Sequence, residues 1–218
     1  MKRLILIALF LLLSVLTFSC VKTNPNNLKQ PETVEEPLPQ ISKTLVVPFV
    51  DMSKIYGDQA MVKSLLSGDY FKTGKVDRNS SDFMTETLVT LAAESKKFGI
   101  IEIASNLYSD VSANDIDSFI QRGKNAGADI VLSGYIYRFE DRVGADYAAD
   151  SPASVTFNIY VIDVKAENIV RSENFIETQK PLSDNLFGIS QFFKRSGKWV
   201  TAQDMAYEGL NNILKELK

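Results

Sequence analysis

Apolar positions change their period several times along the chain, and each change marks an element. Leu4 to Phe18 is a nearly continuous apolar run, bounded by Lys2 and Arg3 before it and by Ser19 and Cys20 after it. A membrane span takes about 20 such residues, so this run is short for a transmembrane helix and suits a secretory leader. Val21 to Ser42 shows no periodicity and holds four of the seven prolines, Pro25, Pro31, Pro37 and Pro39. A tether of that length spans roughly 25 Å on average. Lys43 to Val50 (KTLVVPFV) is apolar on both faces, as in an interior strand. Pro48 has no N–H to donate, so one edge of that strand must be free or bulged there.

Asp51 to Asn79 has no clear period; Met61 to Leu66 predicts a short helix before a turn at Gly68. Phe83, Met84, Leu88, Leu91 and Ala92 recur at helical spacing and predict a helix over Ser81 to Ser95. Ser80 or Ser81 is its expected cap, with Lys96 and Lys97 at the negative end of its dipole. Phe98 to Ala104 reads as a strand and Ser112 to Ala126 as a second helix, ended by Gly127. Ala128 to Phe139 is a long strand. In Ala153 to Val164, Val155, Phe157, Ile159 and Val161 alternate with Ser154, Thr156, Asn158 and Tyr160, predicting an antiparallel strand with one face in water. Gly144 to Pro152 is too short for a strand pair. After a turn at 165–168 comes Ile169 to Glu177. Thr201 then caps a final helix with Met205, Ala206, Leu210, Ile213, Leu214 and Leu217 as its buried stripe. This order predicts an α/β fold: a mixed parallel and antiparallel sheet covered by about three helices, in one domain over 43–218.

Charge and composition narrow the chemistry. The chain has 24 basic and 27 acidic residues and no histidine. Loss of 1–19 removes Lys2 and Arg3 and makes the body more acidic, which argues against nucleic acid as a partner. Without histidine the usual general base and the commonest metal ligand are missing. The stretch from Gly68 to Val76 (GDYFKTGKV) is one residue too long for a phosphate loop, and Val76 stands where a Ser or Thr would hold magnesium. Ser64 to Gly68 (SLLSG) lacks the first glycine of a nucleophile elbow. Glu140, Asp141, Asp146 and Asp150 lack the spacing of a calcium loop. The expectation is a protein without catalytic residues, metal or cofactor.

A basic start, a short apolar run and the lone cysteine, Cys20, resemble the bacterial lipoprotein signal. Thr17 departs from the usual leucine three residues before the cysteine, and Ser19 fits. The resemblance implies cleavage after residue 19, a lipid-anchored tether over 20–42, and acyl chains, palmitate among them, on Cys20. Three chains hold a protein permanently where one is marginal. Val21, rather than Asp, after the cysteine implies the outer membrane, facing the periplasm, over the inner one. A plain cleaved signal and an uncleaved anchor are the alternatives.

The strand KTLVVPFVDM, the later GADIVLSGYIYRF and the stretch ASVTFNIYVIDVKAENIVRSENF resemble periplasmic lipoproteins built on a TolB N-terminal-like domain, related to CsgG and LpoB. The tail ETQKPLSDNLFGISQFFKRSGKWVTAQDM resembles a set of uncharacterised bacterial lipoproteins. The resemblance implies an accessory role in the cell envelope, by contact with an envelope protein. A subunit of a CsgG-like secretion assembly, and hence a homo-oligomer, is one alternative; a ligand-binding or hydrolytic lipoprotein is another.

The candidate contact surface is the aromatic and basic stretch Phe187 to Val200, with Phe187, Phe192, Phe193, Lys194, Arg195, Lys198 and Trp199. Aromatic residues and arginine are common anchors at interfaces. Tyr135, Tyr137 and Arg138 are expected on an exposed strand face continuous with it.

Overall fold

The computed structural model describes residues 40–64, 68–104, 116–145, 148–179 and 199–217. All of these fall within one unit, Glu36–Lys218. The strands are β1 (Lys43–Val46), β2 (Val50–Asp51), β3 (Met61–Lys63), β4 (Tyr70–Lys72), β5 (Ile100–Ile103), β6 (Ile130–Glu140), β7 (Val143–Ala145), β8 (Ala148–Ser151), β9 (Ser154–Asp163) and β10 (Asn168–Thr178). The helices are α1 (Met52–Tyr56), α2 (Ser80–Ser95), α3 (Ile116–Ala126) and α4 (Ala202–Glu216).

The main sheet runs in the order β10-β9-β6-β1-β5. β5, β1 and β6 are parallel, as crossover units require, and β6, β9 and β10 form an antiparallel meander. The mixed α/β class is therefore as expected, with α1 as an additional helix. Asp51 explains α1: its Oδ1 accepts the N–H of Ser53 at 2.9 Å and of Lys54 at 3.3 Å.

Pro48 breaks the first strand in two. Val46 pairs with Leu132, and Val50 pairs with Tyr135, so one residue is looped out between them. The N–H of Phe49 leaves the sheet and donates to Thr85 Oγ1 of α2 at 3.0 Å. A second slip lies between Ile136 and Arg138, where β6 carries one residue more than β9. It lets Phe139 return to the side of the sheet already occupied by Ile136.

Both faces of the sheet are covered. On one side Met84, Leu88 and Leu91 of α2 and Met205, Leu210 and Leu214 of α4 pack on Leu132, Phe157 and Ile159. On the other, Phe119 of α3, Met52 of α1, Val62 of β3 and Phe71 of β4 pack around Tyr135, Tyr137 and Tyr160. α4 starts on a capping box between Thr201 and Asp204, and its whole predicted stripe is buried.

Several expectations are corrected. The Ser154, Thr156, Asn158 and Tyr160 face of β9 is buried, because the β3–β4 hairpin covers that side. Met61 begins a strand rather than a helix, since its neighbour Val62 alone turns inward to meet Phe71. The segment after β6 does form a strand pair, β7–β8. Asn79 stands at the N-cap of α2 without a side-chain bond, while the Ser80 hydroxyl turns back to the Asp77 carbonyl at 2.6 Å. The start expected for α3 at Ser112 lies outside the described residues.

Candidate functional site

Three places concentrate polar or exposed groups: a buried tyrosine cluster, an open acidic groove and the outer face of the β3–β4 hairpin. The first contains two residues predicted to be exposed. Tyr135 is 1% exposed and Tyr137 0%, so neither belongs to a contact surface. For Tyr137 the reason is chemical. Asn158, itself fully buried, supplies a polar partner inside the core. Its Nδ2 donates to Tyr137 Oη at 3.0 Å and to Tyr160 Oη at 2.6 Å, and its Oδ1 accepts the Tyr135 N–H at 3.2 Å. Ser64 Oγ lies 3.2 Å from Tyr160 Oη. Phe71 stacks on Tyr137 with centroids 4.5 Å apart. Burial pushes the Tyr137 phenol well above its ordinary pKa, with Tyr160 adding to the effect, so the phenol stays neutral.

Arg138 remains partly exposed, lying along Gly74, with its Nε 3.9 Å from Glu140 Oε1. Trp199 is half-buried, and the next residue's N–H, Val200, donates to Gln179 Oε1 at 2.9 Å. Phe187, Phe192, Phe193, Lys194, Arg195 and Lys198 lie outside the described residues, as does Cys20. The predicted surface is thus not assembled from its strand members: the two tyrosines face the core.

The groove, about 570 Å³, opens where β6 ends beside the starts of α2 and α4. Asp77, Arg78, Asp82, Phe83, Glu86, Asp141 and Gln203 are among its lining. Two of its acids, Asp77 and Asp141, are structural. Asp141 Oδ1 accepts the N–H of Ala202 at 3.0 Å, fixing the start of α4, and Asp77 Oδ2 accepts the N–H of Asp141 at 3.1 Å. Asp77 Oδ1 also pairs with Lys75 at 2.8 Å and holds that ammonium above its usual pKa. Glu140 Oε1 accepts the N–H of Lys75 at 3.1 Å. Among the described residues, no group of three or more acids or cysteines is placed to hold a metal ion. Nor do the described residues include a helix long and apolar enough to cross a membrane.

The hairpin face was not foreseen. Val62 and Phe71 turn inward, and Met61, Lys63, Tyr70 and Lys72 turn out. The fragments Met-Val-Lys and Tyr-Phe-Lys carry the same polarity pattern, each an inward apolar residue flanked by outward ones, but three residues are too few for a period to register.

No family model matches the chain, and no curated protein matches it. Among solved structures, the chain is similar to the PelC dodecamer from Paraburkholderia phytofirmans. The TM-scores are 0.51 and 0.50 in two crystal forms, at 13% identity, covering 84% of this chain and 94% of that one. Weaker overlaps include lipoprotein GNA1162 from Neisseria meningitidis (TM-score 0.40, 14% identity, 81% and 99% covered). The LpoB C-terminal domain from Escherichia coli overlaps at a TM-score of 0.38 and 14% identity, with 67% and 90% covered. Only the PelC likeness bears on the argument, and it concerns the fold.

Proposed function

We propose that the protein is a cell-envelope lipoprotein, attached through Cys20, whose domain works by protein contact rather than by chemistry. The observation that carries this reading is the sheet itself. Its two faces are closed by helices and the hairpin, and Asp77 and Asp141 of the groove accept backbone N–H groups. Among the described residues, what it offers outward is edge. On β5 the side chains of Ile100 and Ile103 are 71% and 48% exposed, and on β10 Ile176 is 69% exposed. Open strand edges with apolar side chains are places where another chain adds on.

The test is crosslinking in intact cells followed by capture, alongside a Cys20→Ala variant. A defined envelope protein should be recovered with the wild type, and the variant should leave the membrane fraction. Background alone in the capture sinks the contact reading; an unchanged membrane fraction sinks the anchor. A second reading, a subunit of a homo-oligomeric assembly, is favoured by the likeness to a PelC dodecamer. Native mass measurement of the detergent-extracted protein decides it, since a strict monomer removes it.

A further inference from the structure

Four of the large apolar side chains that stand exposed cluster within sixteen residues: Ile55 (46%), Tyr56 (42%), Met61 (61%) and Tyr70 (61%). Met61 and Tyr70 stand on the outer face of the hairpin, and Ile55 and Tyr56 on α1. Pairing in the hairpin sets Met61 opposite Lys72 and Lys63 opposite Tyr70, so apolar and cationic side chains alternate across its outer face. Thr73 brings α1 alongside. Its Oγ1 donates to the Gly57 carbonyl at 2.7 Å and accepts the Ala60 N–H at 2.8 Å, tying the end of α1 to the end of β4. Lys54, on the same helix, is exposed over most of its length.

Val62 and Phe71 anchor the hairpin in the core beneath. On the hairpin's outer face the charges are Lys63 and Lys72. The acids nearby in the sequence are Asp51, buried as the cap of α1 and 3.6 Å from Lys54 Nζ, Asp58 after that helix, and Asp69, 3.5 Å from Asn174 Nδ2 of β10. This sign is opposite to the net charge of the chain, −3, and complementary to an anionic surface.

We infer that the outer face of the β3–β4 hairpin, with the end of α1, rests on a bilayer bearing anionic lipid. Tyrosine and lysine each have an apolar body and a polar tip, so they fit the headgroup layer, with Met61 and Ile55 reaching the acyl boundary. Lysines near such a surface add to binding roughly independently. This contact is separate from the anchor at Cys20, and its test uses no lipid on the protein.

A chain begun at Val21 keeps every described residue of both cores, which lie between Ile41 and Leu217. It is mixed with vesicles of phosphatidylglycerol and phosphatidylethanolamine, or of phosphatidylcholine alone, and sedimented. The chain should partition to the anionic vesicles, less so at high salt. Lys63→Gln with Lys72→Gln should weaken that partition about thirtyfold, from about a fivefold loss per lysine. Met61→Ser with Tyr70→Ser should also weaken it, with the unfolding midpoint of each variant showing that the fold is kept. Equal partition to both vesicle types, no partition to either, or variants that bind like the wild type would each overturn the inference. Vesicle-independent capture of an acidic protein by this face would reassign it to a protein partner and overturn it too.

Discussion

Asn158→Leu tests whether the second core is held by its polar network or by packing alone. Leucine is close to asparagine in shape and fills the site, so the change removes hydrogen bonds and little volume. Three bonds are lost: from the Tyr135 N–H to Oδ1, and from Nδ2 to the Tyr137 and Tyr160 hydroxyls. At about 1 kcal/mol net for each, the loss comes to about 3 kcal/mol. Tyr160 keeps Ser64 as a neighbour, which limits the damage at that hydroxyl. Asn158→Ala removes packing as well and should cost about 4 kcal/mol. Tyr137→Phe, which takes away the bond from Asn158 and leaves the ring on Phe71, should cost at least about 1 kcal/mol. A domain is stable by only about 5–15 kcal/mol, so the asparagine variants should show plainly in urea unfolding followed by circular dichroism. If Asn158→Leu unfolds within about 0.5 kcal/mol of the wild type, the network contributes little and the argument fails.

Other consequences are equally direct. Gly99 has φ +60°, and a Cβ there would stand 2.1 Å from the Ser42 carbonyl oxygen, which accepts the Ile100 N–H at 2.8 Å; Gly99→Ala should cost more than about 2 kcal/mol, read as a lower urea midpoint. Lys97 Nζ reaches the Leu217 carbonyl at 2.7 Å and so caps the end of α4; Lys97→Met should lower stability by about 0.5–1 kcal/mol, and a midpoint equal to wild type would remove that role. Asp129 Oδ2 accepts the N–H of Lys43 at 2.9 Å and of Ser42 at 2.7 Å, which holds its carboxyl below the usual range. With the folded pKa lowered, the unfolded chain binds more protons in the window between the two values. Stability is then fully present above about pH 4 and falls as pH drops through the folded value. Asp129→Ala should therefore differ from wild type near neutral pH and converge with it in acid, as unfolding curves across that range would show.

The helices were legible where apolar residues recur at helical spacing, as in α2, and most fully where that period met a cap, as in α4. The polar face of β9 was not. Its residues, Ser154, Thr156, Asn158 and Tyr160, alternate as a wet face would, but they carry no charge, and a charge-free polar face can be satisfied internally. The cover that buries it comes from a hairpin some ninety residues upstream in strands of three, too short to show a period. Tyr137 misled for the same reason: a tyrosine reads as a surface residue until a buried asparagine meets its hydroxyl, whereas Tyr135 is tied to that asparagine through its backbone N–H. The hairpin's outer face was missed because its pattern becomes meaningful only once Val62 and Phe71 are known to point inward.

Two register slips of the main sheet lie in strands buried on both faces, and they have a consequence for the ancestry of the fold. A strand whose faces are both buried cannot gain or lose one residue in its middle without turning every later side chain to the wrong side. At 47–49 and at 137–138 the chain already absorbs one residue, and Phe139 stays in phase with Ile136 because of it. These are the places where length, rather than residue identity, is free to change. Homologues aligned to this chain should therefore carry their single-residue gaps in the sheet there, and unbroken strands through 130–136 and 155–162.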